Sequence, residues 1–160
     1  MREILTLETE QKIAICRVSI DTIIDLRHRI LRAGLPIESA NFPGDKDIST
    51  WHFGLFHPYA NGANVPVVTC ASFMLNSYKD QPAWQLRGMC TETEHQSKGF
   101  GGRLLTCAEA AIVKISAVRL FWCNARVPAI PFYQRQGWTM DSEVFDIPTA
   151  GPHRKMFKKA

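Results

Sequence analysis

Residues 96–103 read Gln-Ser-Lys-Gly-Phe-Gly-Gly-Arg, and an apolar stripe at helical spacing starts directly behind them. Glycines let a backbone pass close to a ligand, and the first amides of a helix lack acceptors of their own. A loop of this composition therefore suits an anion, above all a phosphate. Two phosphate loops do not fit. A Walker A loop carries lysine directly after its last glycine and then Ser or Thr, whereas Lys98 precedes Gly99 and Arg103 follows Gly102. A dinucleotide fingerprint needs glycine where Leu104 stands, and an acid on a strand about twenty residues on. What stands is Q/R-x-x-G-x-G/A, spelled by Gln96, Gly99 and Gly101. Other groups with chemistry to offer are Tyr133, Cys90, the acids Glu92 and Glu94, and the imidazoles His52 and His153.

The totals bound what these residues can belong to. A chain of 160 residues, 46% hydrophobic and 21% charged, is expected to form one soluble domain over 1–160. No window reaches the roughly 18 uninterrupted apolar residues of a membrane span. Acids occupy the N-terminus where a signal peptide has its apolar run, so a cytoplasmic protein is expected. Five cysteines without C-x-x-C spacing fit free thiols rather than a disulfide framework. The histidines form no ligand spacing, so no metal is expected. The net charge of +4 comes largely from "LRHRILR" and "HRKMFKKA", which read as solvated basic faces rather than a nucleic-acid surface.

The elements that must hold the loop follow from periodicity. Residues 12–19 read as a first strand. Residues 20–34 read as a helix with Ile20, Ile23, Ile24, Arg27, Ile30 and Leu31 on one face and Gly34 as its stop. Residues 35–47 form a long loop with one short helical turn. Residues 49–56 and 65–75 are strands of an antiparallel hairpin turning through 57–64, and residues 83–91 a fourth strand with Gly88 as a bulge or close-approach site. The helix after the glycines buries Leu104, Leu105, Ala108, Ala111, Ile112 and Ile115. Residues 118–125 are a fifth strand buried on both faces, 127–137 a short helix ended by Gly137, and 138–147 and 153–159 two last strands. This is an α/β (α+β) order around a mixed sheet.

In these motifs the chain resembles the GNAT superfamily of acyl-CoA-dependent N-acetyltransferases. Its signature is the Gln96–Gly101 hexapeptide at a strand-to-helix junction, and its second motif, N-x-x-A-x-x-x-Y-x-x-x-G-F, is matched by Ala129, Tyr133 and Gly137, with Trp138 for Phe and Arg126 for Asn. The resemblance covers essentially the whole chain. It implies a mostly antiparallel central sheet, flanked by helices, whose parallel fourth and fifth strands splay apart around a thioester. It implies acetyl-CoA as cosubstrate, held by Gln96, Ser97, Lys98, Gly99, Phe100, Gly101, Gly102 and Arg103 at the diphosphate and by the backbone of Met89, Cys90 and Thr91 along the pantetheine arm. Direct attack by a small polar amine follows, with Tyr133 as the acid for the leaving thiolate and no base singled out. His52, Asn124, Arg126 and His153 would face the acceptor. There Asp45 and Asp47 could attract an amine and Arg126 hold a carboxylate. The resemblance further implies a homodimer. A non-catalytic acyl-CoA sensor and a protein or peptide acetyltransferase are the alternatives, and an acetyl-Cys90 intermediate is the rival mechanism.

Overall fold

The period-two apolar segments become neighbouring strands of one sheet. In the computed structural model, which describes residues 3–58 and 65–160, the strands are β1 (Glu3–Glu8), β2 (Ile13–Val18), β3 (Trp51–Phe56), β4 (Val67–Leu75), β5 (Trp84–Thr91), β6 (Leu120–Arg126), β7 (Thr139–Met140), β8 (Phe145–Ile147) and β9 (Gly151–Lys159). They run in the order β1-β2-β3-β4-β5-β6-β9-β7, with β8 also on β9. Every pairing is antiparallel except β5 with β6. The mixed sheet expected from sequence is present. The turn expected over 57–64 falls mostly outside the described residues, yet β3 and β4 on either side of it do pair antiparallel.

Three helices cover the two faces. On one, α1 (Ile20–Leu31) seats Ile23 and Leu26 on Ala14, Cys16, Phe56 and Cys70. On the other, α2 (Phe100–Ile115) seats Leu104, Leu105, Ala108 and Ile112 on Ile15, Phe53, Phe73 and Phe121. The short α3 (Ile130–Arg135) takes Pro131 in its first turn, where no intrahelical hydrogen bond is lost, and stops before Gly137 at φ +86°.

Several expectations need correction. A strand precedes the first one foreseen: β1 is an edge strand with half its positions exposed, so it lacks the apolar run that marks a core strand. Ile115, expected in the buried stripe, is 59% exposed, because α2 outruns the sheet beneath it. The segment 138–147 is two short strands rather than one, since residues between them leave the ladder. In the supposedly solvated "LRHRILR" cluster, Arg27 is 0% exposed.

Arg27 is the hub of the α1 face. Its Nη1 donates to Asp45 Oδ2 (2.6 Å) and to the Ala40 carbonyl (2.9 Å), and its Nη2 donates to Ser72 Oγ (2.7 Å). The Ser72 hydroxyl then donates to His52 Nδ1 (2.6 Å), while His52 Nε2–H donates to the Asp45 carbonyl (2.8 Å). One chain of bonds thus ties α1, the 35–47 loop, β3 and β4. It also fixes β5. Gly88 sits at φ +61°, and a Cβ there would lie 2.6 Å from Arg27 Nε. The β4–β5 register slips opposite it, between Cys70 and Ser72, as a bulge.

Two predictions follow from this hub. Asp45→Ala strands a buried guanidinium and is expected to destabilise the protein by about 3–5 kcal/mol, read by urea denaturation. Burial lowers the His52 pKa from its ordinary 6.5. The unfolded chain then binds the proton more readily, so stability is full above that value and is lost as pH falls through the folded one. Thermal unfolding followed from pH 8 down to pH 5 should show this loss, and His52→Gln should reduce it.

Candidate active site

The parallel pairing of β5 with β6 lasts only from Trp84–Leu86 against Phe121–Cys123. Beyond it the strands part, and the β6-side edge of β5 from Arg87 to Thr91 has no strand partner among the described residues. Two cavities meet at this gap. The larger, about 1330 Å³, opens on the α2 face and is lined by Met89, Cys90, Thr91, Gln96, Ser97, Gly99, Phe100, Gly101, Gly102 and Arg103, among others. The smaller, about 220 Å³, lies between the C-terminal end of α1, the 35–47 loop, β6 and β9. Met89, Ala129 and Tyr133 line both.

The mouth of α2 presents backbone amides and no side-chain cap. Ser97 and Gly99 adopt left-handed backbone (φ +62° and +80°). The amides of Phe100, Gly101 and Gly102 therefore face the large cavity without intrahelical acceptors, at the positive end of the helix dipole. Gly101 matters by its size, because a Cβ there would come within 3.3 Å of the Phe132 ring. Gln96 braces the approach by donating from Nε2 to the Thr91 carbonyl (3.1 Å). Arg103 lines the cavity, but its guanidinium donates to Glu8 (3.0 Å) and to Gln11, tying β1 to α2. Lys98 is exposed and outside the lining, since the loop's reversed turns aim its side chain at solvent.

Tyr133 is 7% exposed and packed between Phe132 and Trp138. Burial, with the Cys123 and Cys90 thiols nearby, pushes its phenol well above the ordinary value, so it stays protonated. Cys90 offers only its backbone to the gap. Its thiol lies 3.6 Å from that of Cys70 in the α1-face core, and that contact together with burial drives its pKa up, away from a nucleophilic thiolate. The acetyl-cysteine mechanism loses its reagent.

Of the residues expected at the acceptor, Asn124, Arg126 and His153 do line the small cavity. His52 does not, because both its nitrogens serve the Arg27 hub. Asp45 is likewise engaged by Arg27, and Asp47 is exposed and accepts from Ser49. Glu92 pairs with Arg29 at 2.6 Å, and Glu94 is exposed. His153 Nδ1–H donates to the Gly151 carbonyl (2.7 Å), which leaves Nε2 as an acceptor. Sequence reasoning passed over Arg32, Phe42 and Arg87, which also line this cavity. Arg32 and Phe42 lay in segments read as surface, and Arg87 in the fourth strand, where nothing in its spacing set it apart.

Comparison with known proteins bears on the whole arrangement. Residues 59–140 match the acetyltransferase (GNAT) domain. An uncharacterised N-acetyltransferase of Bacillus subtilis (strain 168), YitI, is 32% identical over 144 residues, covering 88% of this chain and 92% of that protein. Among solved structures, Escherichia coli ElaA superposes with a TM-score of 0.69 at 15% identity, covering 88% of this chain and 90% of that one. The spermidine N-acetyltransferase of Vibrio cholerae, in complex with CoA and spermine, superposes with a TM-score of 0.65 at 12% identity, covering 92% and 95%.

Proposed function

This chain belongs to the GNAT family of N-acetyltransferases, and from that premise we propose that it moves the acetyl group of acetyl-CoA to a primary amine of a small polar molecule by direct attack. The observation that carries the reading is the broken β5–β6 ladder, with Tyr133 in the wall common to both cavities. Bound acetyl-CoA supplies the activated acetyl thioester. The Phe100, Gly101 and Gly102 amides hold its diphosphate, and the open edge of β5 at Met89–Thr91 pairs with the pantetheine amides as a neighbouring strand would. Unpaired backbone N–H groups on that edge stabilise the oxyanion that develops on the attacked carbonyl.

Tyr133 gives its proton to the departing thiolate. A phenol held protonated by burial carries the proton that this step needs and is unsuited to act as a base. His153 Nε2 accepts the proton of the incoming ammonium, its other nitrogen being spent on Gly151. The 35–47 loop supports a small acceptor over a protein chain. Arg27 and Asp45 pin it across the far side of the gap, where Phe42 walls the small cavity.

Valine at position 99 must adopt the left-handed region at a cost of about 1–2 kcal/mol, so Gly99→Val is expected to weaken CoA binding by about tenfold in titration calorimetry. Unchanged affinity would remove the loop from the account. Tyr133→Phe is expected to lower kcat by about tenfold or more with acetyl-CoA affinity retained. His153→Gln should lower kcat/KM with acetyl-CoA affinity retained. CoA release checks both, and a phenylalanine variant at full speed would return Tyr133 to a packing role.

A further inference from the structure

Among the described residues, the small cavity gathers three arginines, Arg32, Arg87 and Arg126, and no carboxylate on its wall. Arg27, directly behind, has already taken Asp45. Phe42 gathers three of these groups on its ring, with guanidinium carbons at 4.3 Å (Arg27), 5.2 Å (Arg32) and 4.8 Å (Arg87) from the centroid. Their bonds within the protein are few. Arg126 Nη2 donates to the Leu31 carbonyl (3.2 Å), Arg87 Nη1 to the Pro43 carbonyl (3.2 Å), and Arg32 Nε to the Ser39 carbonyl (3.4 Å). Arg32 Nη1 is buried with no partner, and so is the side-chain oxygen of Asn124 across the same cavity. Burial lowers the pKa of both Arg32 and Arg87; neighbouring arginines add to that pressure, and at Arg87 the Asp45 carboxylate opposes it in part.

Buried donors of like charge are kept together where a ligand completes them. Three guanidiniums around a concave, acid-free wall match an oxyanion, which accepts several N–H groups at once. The opposed Asn124 oxygen is an acceptor and matches the amine. The cavity, about 220 Å³, lies below the roughly 300–1,000 Å³ of drug-sized sites, which limits the occupant to amino-acid dimensions.

We propose that the acceptor is a small primary amine bearing a carboxylate or phosphate, with Arg32, Arg87 and Arg126 holding the anion and Asn124 receiving an N–H of the amine. This rests on the acetyl-transfer reading above and narrows it. Polycationic amines are excluded, because no carboxylate is free to meet them and the arginines repel them. Of the acceptor pocket foreseen from sequence, Arg126 as holder of a carboxylate is kept and extended to Arg32 and Arg87, while Asp45 and Asp47 drop out, being engaged by Arg27 and Ser49.

The test compares β-alanine, O-phosphoethanolamine, ethanolamine and spermidine as acceptors, with CoA release as readout. One of the two anionic amines is expected to exceed ethanolamine and spermidine in kcat/KM by at least about thirtyfold, and which one wins tells carboxylate from phosphate. Arg32→Gln and Arg87→Gln should each raise KM for that amine by at least about tenfold, with the KM for acetyl-CoA unchanged and Arg32→Lys recovering part of the loss. Ethanolamine or spermidine acetylated as efficiently as the anionic amines would overturn the proposal, as would arginine variants with unaltered KM. Calorimetric titration of the four amines into CoA-saturated protein separates the two readings. Anionic amines that bind without being acetylated uphold the arginine site and sink the transfer reaction, whereas binding of neither anionic amine overturns the site itself.

Discussion

A guanidinium with no exposed surface sits at the middle of this molecule, and the geometry of the site depends on how it is satisfied. Arg27 enters the α1 face of the sheet beneath β5, where a side chain on residue 88 would collide with it. Removing such a group from water is costly unless its donors find acceptors. They do so on three segments: Asp45 and the Ala40 carbonyl from the loop, and Ser72 from β4. Satisfying one charge therefore folds the loop down, ties helix to sheet, and places the Gly88 bulge where β5 turns away from β6. The opening between those strands is thus the outcome of a buried polar network and a glycine, which together leave an open strand edge.

The large cavity and the small one are held by different means. The first relies on backbone: left-handed turns at Ser97 and Gly99, the uncapped mouth of α2, and the edge of β5. The second relies on side chains from α1, the loop, β5, β6 and β9. Backbone recognition tolerates wide change in sequence while the fold persists, as structural likeness to proteins only 12–15% identical illustrates. Side-chain recognition does not, and the acceptor is where family membership says least.

How much of this was legible in sequence follows the same division. The glycine loop, most of the alternating strands, the Gly88 bulge and the α2 stripe up to Ile112 are local signals that lie where their spacing put them, whereas Ile115 and the single strand expected over 138–147 do not. The α1 face was legible in part: Arg27 fell on the apolar stripe of its helix, yet its position among other basic residues read equally well as a solvated face. Only Asp45, 18 residues on, tells the two apart. Edge strand β1 escaped notice because an edge with one wet face carries little apolar contrast. His52, Arg32 and Arg87 were misplaced or missed for one reason. Their surroundings are assembled from segments far apart in the chain, and no period within a helix or strand encodes them.

Met89, Ala129 and Tyr133 form a party wall between the two chambers. A change in any of the three reshapes both rooms at once, so neither chamber can be altered there without disturbing the other. Arg32, Phe42, Asn124 and Arg126 face one room only, so a change at any of them leaves the lining of the other chamber intact.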